Sequence, residues 1–195
     1  GTTFSCSLVE PLSNTEKDIM AARWVDALTN RLFAEPLAGL GYPVADLKFL
    51  RRLEPFIKPG DEAKLSFDMD FIGIQNYTRE IVKWSPFKPL IRAKVIKAGK
   101  RFVETTEMNW EVYPESVYHM LVKFSKYRGF KELIVTENGA AFPDVLTNGK
   151  VYDDKRRAYL EACIRQVLKA KQEAVNVNGY FAWSFTDNFE WAEGF

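Results

Sequence analysis

Histidine is nearly absent from this chain, cysteine occurs twice, and nowhere do about 18 apolar residues run together. With His119 alone, and inside a predicted helix, a histidine general base and a multi-histidine metal site are both badly placed. A lone surface histidine is expected, and no metal or cofactor. Cys6 falls in an apolar, strand-like run and Cys163 in a helical pattern, with no metal or disulfide spacing around either. Both are expected to be buried thiols, which fits a reducing, cytoplasmic compartment. The missing apolar run removes a membrane-spanning helix from consideration. A glycine-rich phosphate loop and a Ser-His-Asp order are lacking too. So is an excess of either charge. Lys and Arg number 27 against 26 for Asp and Glu, and a net +1 gives no electrostatic reason to expect nucleic acid or an anionic membrane as partner. The chain opens on Gly1-Thr-Thr-Phe without Met, so the want of a leader segment decides nothing.

What is present suffices for a packed core: 195 residues, 47% hydrophobic and 14% aromatic. Residues 3–8 are β-prone, and Pro11 closes that run before Ser13-Asn-Thr-Glu16, which reads as a capping box. The helix it starts puts Ala21, Trp24, Val25, Leu28 and Leu32 on one face and is expected to stop near Pro36. Residues 37–70 read as connection, with a short helical stretch over 44–53 and a break at Pro59-Gly60. A strand is expected over 71–77, then an exposed basic excursion over 81–102 with hairpin character, read as solvated surface. Pro114 suits a first helical turn, followed by the stripe Val117, Met120, Leu121, Phe124 and an end at Gly129. A strand over 133–136 leads through a loop to a helix capped by Asp153 or Asp154, with Leu160, Ile164, Val167 and Leu168 facing inward. The last strand is 179–185. Four strands alternating with helices imply right-handed βα units around a parallel sheet, in one domain over 1–195.

Polar residues gather just past the strand ends: Gln75, Asn76 and Tyr77; Glu137 and Asn138; Asp187, Asn188 and Glu190. In a parallel α/β barrel that is the face that carries active sites. The rings of Trp183, Trp191 and Phe195 fall beside them. Flat aromatic faces next to carboxylates and amides suit sugars, whose C–H faces stack while their hydroxyls hydrogen-bond. Taken singly, each residue has a plainer reading. Thr-Glu-Asn-Gly around Glu137 is good turn chemistry, and Trp183 or Tyr77 could fill a core.

Taken together they carry a resemblance. Glu132-Leu-Ile-Val-Thr-Glu137-Asn-Gly-Ala-Ala resembles the nucleophile motif of glycoside hydrolase family 1, the family of β-glucosidases and 6-phospho-β-glycosidases. Gly179-Tyr-Phe-Ala-Trp183 through Glu190-Trp191-Ala-Glu-Gly is similar to its last barrel strand and sugar-binding loop, Phe71-Ile-Gly-Ile-Gln-Asn-Tyr77-Thr to its sixth strand, and Asn109-Trp-Glu-Val-Tyr-Pro114 to the approach to its next helix. The resemblance covers essentially the whole chain. It implies the C-terminal half, from about the fifth strand to just past the eighth, of an eight-stranded (β/α)8 TIM barrel, incomplete at both ends. It also implies that Glu137 is the nucleophile, that Tyr77 hydrogen-bonds and orients it, that Glu190 and Trp191 grip far hydroxyls of the sugar, and that Trp183 forms the floor beneath. Members acting on 6-phosphorylated sugars lack the Glu-Trp pair, so an unphosphorylated β-glycoside is the implied substrate.

The chain departs from the family pattern at two points. The sixth-strand motif usually reads Asn-Tyr-Tyr and here reads Gln75-Asn76-Tyr77, which reshapes an amide contact expected near the sugar. The family's acid/base is the Glu of an Asn-Glu-Pro motif, and that strand would precede Gly1. Glu10-Pro11, Glu35-Pro36 and Glu54-Pro55 do occur, but none follows an Asn, and Glu10, at a strand end, is the decoy among them. The implied partner is therefore the N-terminal half of the barrel, in the same gene product or another chain, without which this chain is expected to be inactive. The alternative is a non-catalytic carbohydrate-binding or scaffolding subunit.

Overall fold

A computed structural model describes residues 1–194; Phe195, one of the expected sugar-facing rings, lies outside the described residues. The β-prone N-terminal run is two strands rather than one, β1 (Thr2–Ser5) and β2 (Leu8–Pro11), and they enter different sheets. Helix α1 (Glu16–Asp26) is capped two residues later than the sequence implied. Thr15 Oγ1 accepts the Asp18 N–H, and the Asp18 carboxylate accepts from Ser13 Oγ and the Trp84 N–H, so Thr15 and not Ser13 caps the helix. The helical run ends at Leu37, one residue past Pro36, as expected. A π-helical turn (Ala27–Arg31) intervenes, and α2 (Leu32–Leu37) takes in Pro36, which is buried. Ala21 and Val25 are buried as expected, whereas Trp24, Leu28 and Leu32 are half-buried.

A 3₁₀ segment (Lys48–Phe56) and α3 (Asp61–Leu65) follow; Gly60, at φ +87°, makes the turn between them. Strand β3 (Ile72–Gln75) is succeeded by the hairpin of β4 (Arg79–Trp84) and β5 (Ala93–Val95). That hairpin is less exposed than its charge suggested, since Ile81, Val82 and Ala93 are buried and Val82 and Ala93 lie against α1. Then come α4 (Glu115–Phe124), β6 (Leu133–Asn138), the small hairpin β7 (Leu146–Thr147) and β8 (Lys150–Val151), α5 (Asp154–Gln172) and β9 (Val177–Ala182).

Strands β1, β3, β6 and β9 form one parallel sheet in that order, the βα succession expected of part of a barrel. Its helix-covered face supplies Ile72, Ile74, Leu133, Val135 and Val177 to the main core, against Val117, Met120, Leu121 and Phe124 of α4. From α5 the inward residues are Tyr159, Cys163, Val167 and Ala170. This corrects the expectation for Ile164 and Leu168, which are exposed; the helix carries a second apolar stripe that the sequence pattern cannot tell from the first. Asp153 stands at the N-cap but makes no side-chain cap bond. Both cysteines are buried and free, and His119 is exposed on α4. No helix among the described residues is long and apolar enough to cross a membrane.

Candidate active site

Along β6 the side chains begin in strict alternation. Leu133 and Val135 are buried toward the helices, while Thr136 lies on the other face, its hydroxyl 2.7 Å from that of Thr3. Continued alternation would turn Glu137 into the apolar core, where an unpaired carboxylate is costly. The pairing skips instead: Ile74 lies opposite Val135 but Gln75 lies opposite Glu137, leaving Thr136 as the extra residue. On the far side Val135 pairs with Tyr180 and Asn138 with Ala182, across a matching irregularity. Glu137 thus emerges on the open face, and Asn138 turns into the interior.

Gln75 and Tyr77, at i and i+2 of the neighbouring strand and its extension, meet this carboxylate. Gln75 Nε2 donates to Glu137 Oε1 at 2.7 Å, and the Tyr77 hydroxyl donates to Oε2 at 2.7 Å. Burial, and then the Glu137 carboxylate it serves, push the Tyr77 hydroxyl well above the ordinary phenol range, with the Glu190 charge acting in the same direction. Tyr77 therefore remains a donor. Asn76, expected to touch sugar, points the opposite way by the two-residue period of the strand. It is fully buried and its amide donates to the Cys6 carbonyl at 2.9 Å, so its side chain fastens β3 to the end of β1.

Beneath the carboxylate lies a buried polar network. Asn138 Nδ2 donates to the Asn76 carbonyl (2.7 Å) and to the Tyr159 hydroxyl (3.3 Å), Tyr180 donates to Asn138 Oδ1 (2.6 Å), and Tyr159 donates to the Tyr77 carbonyl (3.0 Å). Burial raises both tyrosines, and lifts the Cys163 thiol beside Tyr159 to about 12. The network fixes the backbone of the residues on either side of the site.

The last strand brings the rings. The Trp183 backbone N–H donates to the Asn138 carbonyl at 2.8 Å, its indole Nε1 donates to Glu190 Oε1 at 3.3 Å, and Asn188 Nδ2 donates to the same oxygen at 2.7 Å. Gly139 permits this approach, because a Cβ there would stand 1.9 Å from the Trp183 carbonyl oxygen. Trp191 is 96% exposed. Trp110 lays its ring 5.3 Å from that of Tyr77 and is partly exposed beside it. The sequence signal that could have found it is its place in the Asn109 to Pro114 motif.

Glu10 is already committed: Arg79 Nη1 binds it at 2.8 Å while the same guanidinium grips the buried Glu111 through Nε and Nη2. Two depressions lie away from Glu137. One, of about 840 Å³, runs along α5 past Leu160, Ile164 and Leu168; the other, of about 1130 Å³, lies between Phe33 and Ile57. Neither holds a carboxylate fixed by convergent donors, so the Glu137 rim rather than either hollow is the candidate site. Among the described residues no group of three or more His, Cys, Asp or Glu is arranged to hold a metal ion.

The model of glycosyl hydrolase family 1 matches residues 1–195. Beta-glucosidase A of Thermotoga maritima is 40% identical over all of this chain and 43% of its own length, and beta-glucosidase A of Acetivibrio thermocellus is 35% identical over all of this chain and 44% of its own. The solved family 1 β-glucosidase from Thermotoga maritima superposes with a TM-score of 0.89 at 38% identity, covering 98% of this chain and 43% of that one. The chain thus spans less than half the length of the curated relatives it matches, and its parallel sheet is part of their TIM barrel. A carboxylate held at the strand ends, a match along the entire sequence and a closely superposing fold agree: this chain belongs to glycosyl hydrolase family 1.

Proposed function

We propose that this chain is the nucleophile-bearing part of a retaining β-glycosidase that hydrolyses terminal non-reducing β-D-glycosyl residues. The observation that carries the reading is Glu137, turned out of the core and held at both carboxylate oxygens by Gln75 and Tyr77. A carboxylate so fixed is ready to attack an anomeric carbon along one line. One Glu137 oxygen bonds to C1 as the bond from C1 to the aglycone oxygen breaks, and that oxygen takes a proton from an acid outside this chain. Water then attacks C1, the glycosyl ester breaks, Glu137 leaves as carboxylate, and the proton returns to the same group.

Trp183 serves as the floor for the sugar ring, and Glu190, steadied by Trp183 and Asn188, accepts hydroxyls with Trp191 alongside. The negative charge of Glu190 disfavours a 6-phosphorylated sugar. Residues 1–195 form a single domain, an incomplete barrel that is inactive alone, and the other half supplies the acid/base. Glu10 is excluded from that role by its engagement with Arg79. In the completed barrel the two carboxyl groups are expected roughly 5 to 5.5 Å apart.

The test is a 2-deoxy-2-fluoro-β-glycosyl fluoride applied to this chain joined to, or assembled with, the segment that completes the barrel. Peptide mapping is expected to find the glycosyl group on Glu137. Binding without label or hydrolysis would instead assign the chain to a carbohydrate-binding subunit without turnover.

A further inference from the structure

We propose that Gln75 is a positioning residue for the nucleophile, one of two donors that lock the plane of the Glu137 carboxylate, and is not chiefly a sugar contact. The inference rests on the reading of Glu137 as nucleophile. Family resemblance places an asparagine here and connects the amide with the bound sugar. In this chain the glutamine amide is spent on Glu137 Oε1 at 2.7 Å, the short distance of a charge-assisted bond.

Three features make the arrangement specific. First, Gln75 and Tyr77 lie two residues apart, so both point to the same side, one to each oxygen of a single carboxylate. A glutamate is free to rotate about its last torsion; one donor leaves a hinge, and two donors on one strand remove it. Second, the register skip at Ile74/Gln75 brings Gln75 directly opposite Glu137. Third, the extra methylene of glutamine relative to asparagine gives the amide the reach to meet that carboxylate across the strand gap. Each oxygen takes one donor in this arrangement and keeps a lone pair. Either can bond to C1, while the other becomes the ester carbonyl and continues to accept its hydrogen bond. Holding the attacking group in this way acts on the rate of the covalent step and not on sugar affinity.

Inactivation by the same fluorosugar separates the two roles, because it yields a dissociation constant for the reagent and a rate constant for labelling at saturation. Gln75→Met keeps length and bulk but has no N–H. In the completed protein it is expected to lower the labelling rate constant about tenfold or more, the worth of one hydrogen bond to a charged group, and to leave the dissociation constant within about twofold. An unchanged rate constant, or a loss confined to the dissociation constant, overturns the proposal. Gln75→Ala decides the matter by the same criterion if the methionine variant fails to fold, as judged by near-ultraviolet circular dichroism. Absence of label in the unsubstituted protein overturns the reading of Glu137, and this proposal with it, whereas normal labelling of both variants removes this proposal alone.

Discussion

A phenol that donates to a carboxylate is useful only while it keeps its proton. Burial and the adjacent Glu137 raise Tyr77, and burial raises Tyr159 and Tyr180 below it. Unfolded tyrosines release their protons near pH 10, so above that pH the folded chain retains protons that the unfolded chain gives up. Stability from these three groups is therefore complete below about pH 10 and declines as pH rises beyond it. The tyrosinate absorbance contributed by these three, read as the part lost in their Phe variants, is expected to appear together with loss of the near-ultraviolet dichroism; early titration of all three in the folded protein would contradict the burial argument. Tyr77→Phe removes one charge-assisted bond, and labelling of Glu137 in the completed protein is expected to slow by about tenfold or more. The chemical identities at this scale were legible in sequence, because strand-end carboxylates, amides and rings are conspicuous. Asn76 was not, since its side chain follows the pleat into the fold.

Elements are joined at this site by contacts that leave little slack. Gly139 lets the loop after β6 touch the carbonyl of Trp183, and a methyl group there has nowhere to go. Gly139→Ala is expected to cost about 1–3 kcal/mol or more in a denaturant melt and to impair labelling of Glu137 by moving β6 against β9. Beside β4, Arg79 and Arg101 converge on Glu111, which is 4% exposed. Burial would raise this carboxyl, but the hydrogen bonds from the two guanidiniums outweigh it and hold it below the ordinary range. Its contribution is accordingly present at neutral pH and fades as pH falls through that lowered value. Glu111→Ala takes the carboxylate from Arg101 and leaves Arg79 with Glu10 alone, and is expected to cost about 3–5 kcal/mol by chemical denaturation. Glu161→Ala, which breaks the exposed pair with Arg165, is expected to cost no more than about 0.5 kcal/mol in the same measurement. Helix and strand periods revealed most of these elements. The π-turn before α2 and the skip in β6 escaped them, because both are departures from period imposed by neighbours.

For the molecule as a whole, the exposed surface is the telling feature. Ile164 and Leu168 of α5 face outward with Val151 and Tyr152, and Phe181, Phe185 and Trp183 are uncovered around the last strand. An open parallel sheet with apolar flanks is prone to self-association. The chain by itself is expected to bind a hydrophobic dye strongly and to sediment as more than a monomer. Addition of the segment that completes the barrel is expected to abolish both and to restore hydrolysis. A dye-silent, monomeric chain would argue that α5 and β9 are covered in some other way.

The sequence by itself determined the alternation of strands and helices, the family and the residue types gathered at the strand ends, because hydrophobic period and local motif are properties of contiguous residues. Tertiary structure alone decided which way Glu137 points, which stripe of α5 faces the core, and that Gln75 rather than Asn76 meets the carboxylate. Each of these depends on pairing between strands or helices far apart in the chain, where a shift of one residue exchanges the two faces of a strand.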